Sequence, residues 1–254
     1  MRELLVRCVK FQQLENVDAR NSYVDKLGPV TVEQAALRYY NSLGKLGLWT
    51  ENYYWWYIMA LLFWQIIFAR IRGVYSPLLG KFPGRFQDIP NDFFSRDFYS
   101  KRFTMIERRM EELRSCASIS EVLTHTYSAH RGEPCRPIED WNRYSIDELE
   151  KGAESLMRDQ LLLIMNRLLT NFGGHRGGLP DLFFFEPSPM FVEVKSESDS
   201  VRTNQLEWFQ YLTEGVGVDV ELLLVNHRTG KFESTRTLLE TKGFDIHIVE
   251  DPIG

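Results

Sequence analysis

The chain has no excess of basic residues. Thirty Lys and Arg stand against 35 Asp and Glu over 254 residues, for a net charge of −5. No global positive field advertises a nucleic-acid partner, so a polyanion would have to meet local basic patches. Cysteine is also scarce. Cys8, Cys116 and Cys135 are scattered, which argues against a disulfide framework or a zinc site and suits a reducing compartment. His125, His130, His227 and His247 lack metal spacing as well. Long apolar runs are few. Asn52 to Ala69 is free of charge for 18 residues, just enough for a spanning helix. It contains Asn52 and Gln65, opens on Tyr and Trp, has no second run like it, and lies in mid-chain. A buried core helix is therefore expected, not a membrane span or a signal peptide. Repeats and low-complexity tracts are absent.

Aromatic residues are plentiful, with 17 Phe, 11 Tyr and 6 Trp, and the length suffices for one large domain or two small ones. Residues 1 to 30 mix charge and apolar groups without a sustained period and read as an N-terminal extension. Thr31 with Gln34, Ser118 with Glu121, and Ser145 with Glu148 are capping-box patterns that open helices. Residues 71 to 100 carry Gly73, Pro77, Gly80, Pro83, Gly84 and Pro90 and read as an extended loop. Phe103, Ile106, Met110 and Leu113 mark an amphipathic helix over Lys101 to Cys116. Gly152 divides two helical pieces that run on to Phe172. After Gly173-Gly174-His175-Arg176-Gly177-Gly178 come two strands, a helix over Arg202 to Glu214, a strand over Val218 to Val225, a short helix and a last strand over Phe244 to Val249. Helices before residue 180 and strands after it indicate an α+β or helix-decorated α/β fold.

Chemistry concentrates between Pro180 and Lys195. Leu182 to Phe185 and Met190 to Val194 flank a Glu-Pro-Ser-Pro turn, the pattern of a β-hairpin. Asp181 starts the first strand. Glu193 and Lys195 share one face of the second, because strand side chains alternate. Charges on strands this apolar are costly without a role. Asp181, Glu193 and the Val194 carbonyl are oxygen ligands suited to Mg²⁺ or Mn²⁺, and Lys195 can orient water or offset charge building on a phosphorane. The plainer reading is a surface ion pair of Lys195 with Glu193 or Glu197. Gln205 could reach back to the metal water or a phosphate, although a solvated helical Gln is the commoner case. Trp208 reads as core.

The order Gly-Gly-Leu-Pro-Asp181-Leu, Val-Glu193-Val-Lys195 and Gln205-x-x-Trp208 resembles the VRR-Nuc branch of the PD-(D/E)xK nucleases. Upstream, Glu33-Gln34-Ala35-Ala36, Glu51, Leu61 to Phe68 and Asp92-Phe93-Phe94-Ser95 resemble the Fanconi-associated nuclease family. The resemblance runs from about residue 31 to 225. It implies a restriction-endonuclease-like mixed sheet flanked by helices, a nuclease domain over 31–254, and a large helical insert at about 71–172 before the catalytic hairpin. It also implies that Glu51 joins the metal site, where the residue alone would read as a charge complementing a helix dipole. A further polar ligand of the family falls at Gly80, before Lys81, with Gln87 as a substitute. The basic family positions that receive a 5′ phosphate fall at Gly173 and Asn204.

The expected function is that of a Mg²⁺- or Mn²⁺-dependent, structure-selective DNA endonuclease and 5′-to-3′ exonuclease. It would cut near 5′ flaps or branched DNA in interstrand crosslink repair. The expected protein is a monomer that works with a separate DNA-binding domain or protein, off the membrane and intracellular: nuclear in a eukaryote, cytoplasmic or with the nucleoid in a prokaryote. A dimeric Holliday-junction-resolving nuclease and a non-catalytic DNA-binding module are the alternatives. His175, Arg176 and Arg202 are the expected DNA contacts, with the Gly-rich loop allowing close backbone approach to phosphate. Arg70, Arg72, Lys101, Arg102, Arg108 and Arg109 read either as a DNA track or, with Glu107, Glu111 and Glu112 interspersed, as a solvated face. Trp55, Trp56 and Trp64 read as core, with stacking on a frayed base as the other use.

Overall fold

The structure is a computed structural model and describes residues 2–13, 23–25, 28–74, 87–197 and 199–251. It divides into two compact units, Met1–Glu51 with Gly178–Gly254, and Asn52–Gly177.

The first unit is built on a six-stranded mixed sheet of order β4-β5-β6-β7-β1-β8. The strands are β1 (Arg2–Val9), β4 (Leu46–Trp49), β5 (Leu182–Glu186), β6 (Met190–Lys195), β7 (Asp219–Val225) and β8 (Phe244–Asp251). A short antiparallel pair, β2 (Tyr23–Asp25) and β3 (Gly28–Val30), precedes α1 (Val32–Ser42). β4, β5 and β6 pair antiparallel, while β6, β7, β1 and β8 run parallel. The adjacent parallel strands β6 and β7 are covered on both faces: β6 is buried throughout and β7 beyond its first residue. On one face, Tyr39 and Tyr40 of α1 pack on Leu182, Phe184, Val192 and Leu223. On the other, the Phe183 and Phe191 rings meet at a tilt, 4.8 Å between centroids. The Thr31–Gln34 capping box is complete, and it fixes where α1 begins.

Residues 2–9 were expected to lie in an extension and instead form β1, an inner strand between β7 and β8. Arg7 obscures its apolar pattern. That guanidinium pairs inside the sheet with Glu221 of β7 at 2.5 Å, and the Tyr40 hydroxyl donates to the same carboxylate oxygen at 2.5 Å. The later strands follow the expected hairpin and its continuation closely. α9 (Thr203–Gln210) passes into a π-helical turn, Tyr211–Val216, and α10 (Thr229–Thr241) starts ahead of the short helix expected over Thr235 to Thr241.

The second unit is helical: α2 (Tyr53–Leu62), α3 (Trp64–Ile67), α4 (Asp97–Ser115), α5 (Ile119–His130), α6 (Ile146–Ser155), α7 (Arg158–Thr170) and α8 (Phe172–His175). The unit starts at Asn52, earlier than the boundary expected near residue 71, because the apolar helix α2 packs against α5, α6 and α7. α2 is buried at eight of its ten positions and breaks at Phe63. Arginines of α4 accept the consequence: Arg109 donates to the Leu62 carbonyl at 2.9 Å and Arg102 to the Ile66 carbonyl at 3.0 Å. Among the described residues no helix is long and apolar enough to cross a membrane. Ser118 and Ser145 cap α5 and α6 as expected, but Gly152 lies buried inside α6, and the chain turns at Leu156 instead.

Candidate active site

Strand pairing brings the hairpin carboxylates together. Leu182 pairs with Val192, so the next step of the antiparallel ladder sets Asp181 opposite Glu193. The Asp181 Oδ2 accepts the Val194 amide at 2.9 Å. Glu193 is fully buried. Its Oε1 accepts the Lys195 ammonium at 2.5 Å and the side-chain amide of Gln205, whose own carbonyl oxygen accepts the Arg202 amide at 2.9 Å. Gln205 is therefore buried and holds Glu193, not solvated, and α9 lies over this face of the sheet. Trp208 on the same helix is core.

Glu51 reaches the site through its backbone. β4 pairs with β5 up to Trp49 and Leu182, and the Asp181 carbonyl then accepts the amides of both Thr50, at 2.8 Å, and Glu51, at 3.1 Å. Glu51 turns there at φ 35°, a conformation non-glycine residues seldom adopt. Such backbone concentrates at functional sites. Glu33, in the first turn of α1, also acts on Asp181 by charge. A position in a helix N-terminal turn carries no separate sign of this in the sequence.

The electrostatics are those of crowded acids. Burial pushes the Asp181 carboxyl up to about 6; the Val194 amide and Lys195 oppose this, and Glu33 and Glu51 add to it. Glu193 is held well above the usual carboxylate range by burial first and by Asp181 second, with Lys195 and Arg202 pulling it down. Both Lys195 hydrogen bonding and Gln205 go to Oε1, so Oε2 of Glu193 is buried without a hydrogen-bond partner. An orphaned oxygen on a residue set opposite a second carboxylate, in an all-oxygen donor set, fits a hard divalent cation. Among the described residues no three His, Cys, Asp or Glu side chains form a group that could hold a metal ion. Asp181 and Glu193 are the two carboxylates that the strand pairing sets opposite one another.

The other expected residues are distributed as follows. Arg202 is exposed at the start of α9, on the Glu193 side. Asn204 packs against Gly178, which has φ +94° and whose absent Cβ would lie 2.7 Å from the Asn204 carbonyl oxygen, so glycine is required there. In the helical unit, His175 Nδ1 lies 2.6 Å from the Arg167 carbonyl, and Arg176 lies over the Phe94 ring. Gly80 and Lys81 fall outside the described residues, and Gln87 donates to Asn91 at 2.7 Å. The basic run of α4 is committed internally: Arg102 to Asp92, Arg108 and Arg109 to Glu112, and Lys101 to Asp92 and Asp97. Trp55 and Trp64 are core, whereas Trp56 is half-exposed.

Comparison with known proteins places these features. The VRR-NUC domain family matches residues 114–227. A Fanconi-associated nuclease 1 homolog of Arabidopsis thaliana is 32% identical over 203 residues, covering 76% of this chain and 22% of that protein. A homolog from Pseudomonas aeruginosa is 30% identical over 189 residues, covering 73% of this chain and 32% of that protein. The chain therefore spans about a fifth to a third of the length of these relatives. The crystal structure of paFAN1 bound to DNA with a two-nucleotide 5′ flap and a gap superposes with a TM-score of 0.71 at 27% identity, covering 90% of this chain and 38% of that one. A second structure, with a one-nucleotide flap, gives a TM-score of 0.72.

Proposed function

This chain carries a VRR-NUC domain of PD-(D/E)xK type, related to that of the Fanconi-associated nucleases, and from that premise we propose that it is a metal-dependent deoxyribonuclease. Its substrate would be 5′-flap or branched DNA, cut endonucleolytically and trimmed from 5′ to 3′, in interstrand crosslink repair. The observation that carries this reading is the Glu193 carboxylate, fully buried opposite Asp181 with one oxygen unpartnered and Lys195 bonded to the other.

Asp181, Glu193 and the Val194 carbonyl, with Glu51 alongside, are the groups that would hold Mg²⁺ or Mn²⁺, whose chemistry there is to polarise a phosphodiester and acidify water. The chain's own residues do the positioning. Gln205 and Lys195 fix the Glu193 carboxylate in one orientation. The Val194 amide fixes Asp181. Lys195 supplies the cationic group beside these carboxylates and can offset charge that develops on a phosphorane. Arg202 is the basic residue of the same unit placed to meet a phosphate; His175 and Arg176 are proposed contacts from the helical unit. The acting species would be a monomer within the cell.

Cleavage of 5′-flap DNA in Mg²⁺ or Mn²⁺, with Asp181→Ala as control, tests the proposal. The variant should bind DNA and not cut it. Cleavage retained by a clean preparation of Asp181→Ala would overturn the assignment. A preference for four-way junctions, together with a dimer by light scattering, would replace it with the junction-resolving alternative.

A further inference from the structure

The helical unit carries a second arrangement that the metal chemistry does not use. The Arg143 guanidinium lies 3.9 Å from the centroid of the Tyr53 ring. Tyr53 meets Trp56 at 4.9 Å, Trp56 meets Phe172 at 5.7 Å, and Phe172 meets Phe94 at 5.8 Å. The Arg176 guanidinium then lies 5.1 Å from the centroid of Phe94. The indole N–H of Trp56 donates to the Arg176 main-chain carbonyl at 2.9 Å, which ties the two halves together. Four rings thus form a ladder with a guanidinium at each end.

Three properties separate this ladder from ordinary core. First, it surfaces. Phe172 is its buried link, whereas Phe94 is 41% exposed, Tyr53 and Trp56 are half-exposed, and both arginines are exposed. Second, its charges are uncommitted. Arg102, Arg108, Arg109, Arg114 and Arg136 all pair with carboxylates. Among the described residues neither Arg143 nor Arg176 has a carboxylate partner. Third, the exposed end is held in place. A Cβ at Gly173 would sit 2.6 Å from the Phe94 carbonyl oxygen, so glycine lets α8 press on that loop. Two residues earlier, Asp92 is clamped by both terminal nitrogens of Arg102 at 2.9 and 3.2 Å. An exposed ring kept this rigid has its stacking surface prepared in advance.

We propose that the ladder Arg143–Tyr53–Trp56–Phe94–Arg176 is a track for single-stranded DNA, made of residues other than the Asp181–Glu193 pair. The inference rests on DNA being the substrate and specifies the part of it recognised here. The exposed Phe94 ring and the partly exposed Tyr53 and Trp56 rings offer surfaces on which any base can stack. The two guanidiniums, which have no carboxylate partner among the described residues, supply the positive charge a polyanion needs on a chain with an acidic balance. A duplex keeps its bases stacked on one another and gains from the arginines alone.

The test is fluorescence anisotropy with the full chain in EDTA, using labelled (dT)12 and a blunt duplex of the same length. Removing both rings with Tyr53→Ala and Phe94→Ala should weaken (dT)12 binding about tenfold or more. The ring-keeping pair Tyr53→Phe and Phe94→Tyr should stay within twofold. Arg143→Gln with Arg176→Gln should weaken binding and flatten its salt dependence. Duplex affinity should change less than twofold in both ring pairs, with circular dichroism confirming the fold. Absent (dT)12 binding by the wild type, unchanged binding by the folded alanine pair, or parallel loss of duplex and single strand would each overturn the track. If the alanine pair does not fold, the arginine pair decides: (dT)12 binding equal to wild type overturns the proposal. A chain that binds (dT)12 through the track but never cuts a flap loses the nuclease reading and keeps this one. A chain that cuts flaps with the track variants binding normally does the reverse.

Discussion

Glu51 and Asp181 are joined main chain to main chain: the Glu51 amide donates to the Asp181 carbonyl at 3.1 Å, and neither side chain takes part. Changing the Glu51 side chain therefore leaves the bond that positions it. Glu51→Gln should keep the thermal stability of the parent and raise the metal concentration needed for half-maximal cleavage about 10- to 100-fold. Titration of flap cleavage against Mn²⁺ measures this. An unchanged metal requirement would remove Glu51 from the centre.

Asp181 carries a penalty that pH reveals. Its carboxyl is raised to about 6 in the folded chain, chiefly by burial. A raised carboxyl binds its proton more tightly when folded, so the charged form costs stability above about 6, and the cost fades as pH falls towards the unfolded value near 4. Asp181→Asn is neutral throughout and can still accept the Val194 amide. It should stabilise the metal-free protein by about 2 kcal/mol at pH 8, with little or no gain at pH 4.5, while abolishing cleavage. Urea denaturation in EDTA at the two pH values checks the sign. A variant less stable than the parent at pH 8 would contradict the crowded-acid description.

The sequence made the hairpin legible because its signals are local: two apolar runs, a proline-bearing turn, and alternation that puts Glu193 and Lys195 on one face. The helix caps at Thr31, Ser118 and Ser145 were legible for the same reason. Non-local partners were not. β1 was hidden because Arg7 breaks its apolar run, and the reason for that charge is Glu221, on a strand more than two hundred residues later. Gln205 looked solvated because its partner, Glu193, lies on a different element. Arg102 looked like part of a surface track, and its neutralising group, Asp92, lies outside the helix. Glu51 entered the site only by resemblance, since nothing local ties it to the Asp181 carbonyl.

Lys195 and Glu193 form a buried ion pair, 8% and 0% exposed. Lys195→Met would leave a buried carboxylate with Gln205 as its remaining side-chain donor. Breaking such a pair from one side typically costs about 3–5 kcal/mol. Glu193 is already displaced well upward in pKa, and loss of the ammonium displaces it further in the same direction. The variant should therefore be strongly destabilised at pH 8 and recover progressively as acid protonates Glu193. Lys195→Met combined with Glu193→Gln should restore most of the stability at pH 8 without restoring cleavage. Denaturation of the three proteins across pH decides, and a cost for Lys195→Met that does not vary with pH would show that Glu193 is not the group left uncompensated.

Arg102 offers the corresponding test in the helical unit, where no catalytic role intervenes. Arg102 is 1% exposed, and its guanidinium clamps Asp92 and donates to the Ile66 and Phe98 carbonyls. It also lies over the Phe98 ring at 4.2 Å. Lysine offers one compact charge where the site uses several fixed N–H directions. Arg102→Lys should accordingly fail to substitute and cost about 2 kcal/mol or more in urea denaturation. Arg102→Met should cost about 3–5 kcal/mol by taking the guanidinium away from the buried Asp92 carboxylate and its second donor away from each of the two carbonyls. Asp92→Asn on the Arg102→Met background should recover the share owed to the carboxylate charge and leave the carbonyl share unrecovered. Full recovery in that double variant would mean that the bonds to Ile66 and Phe98 contribute nothing, and that the ion pair alone fixes the loop carrying Phe94.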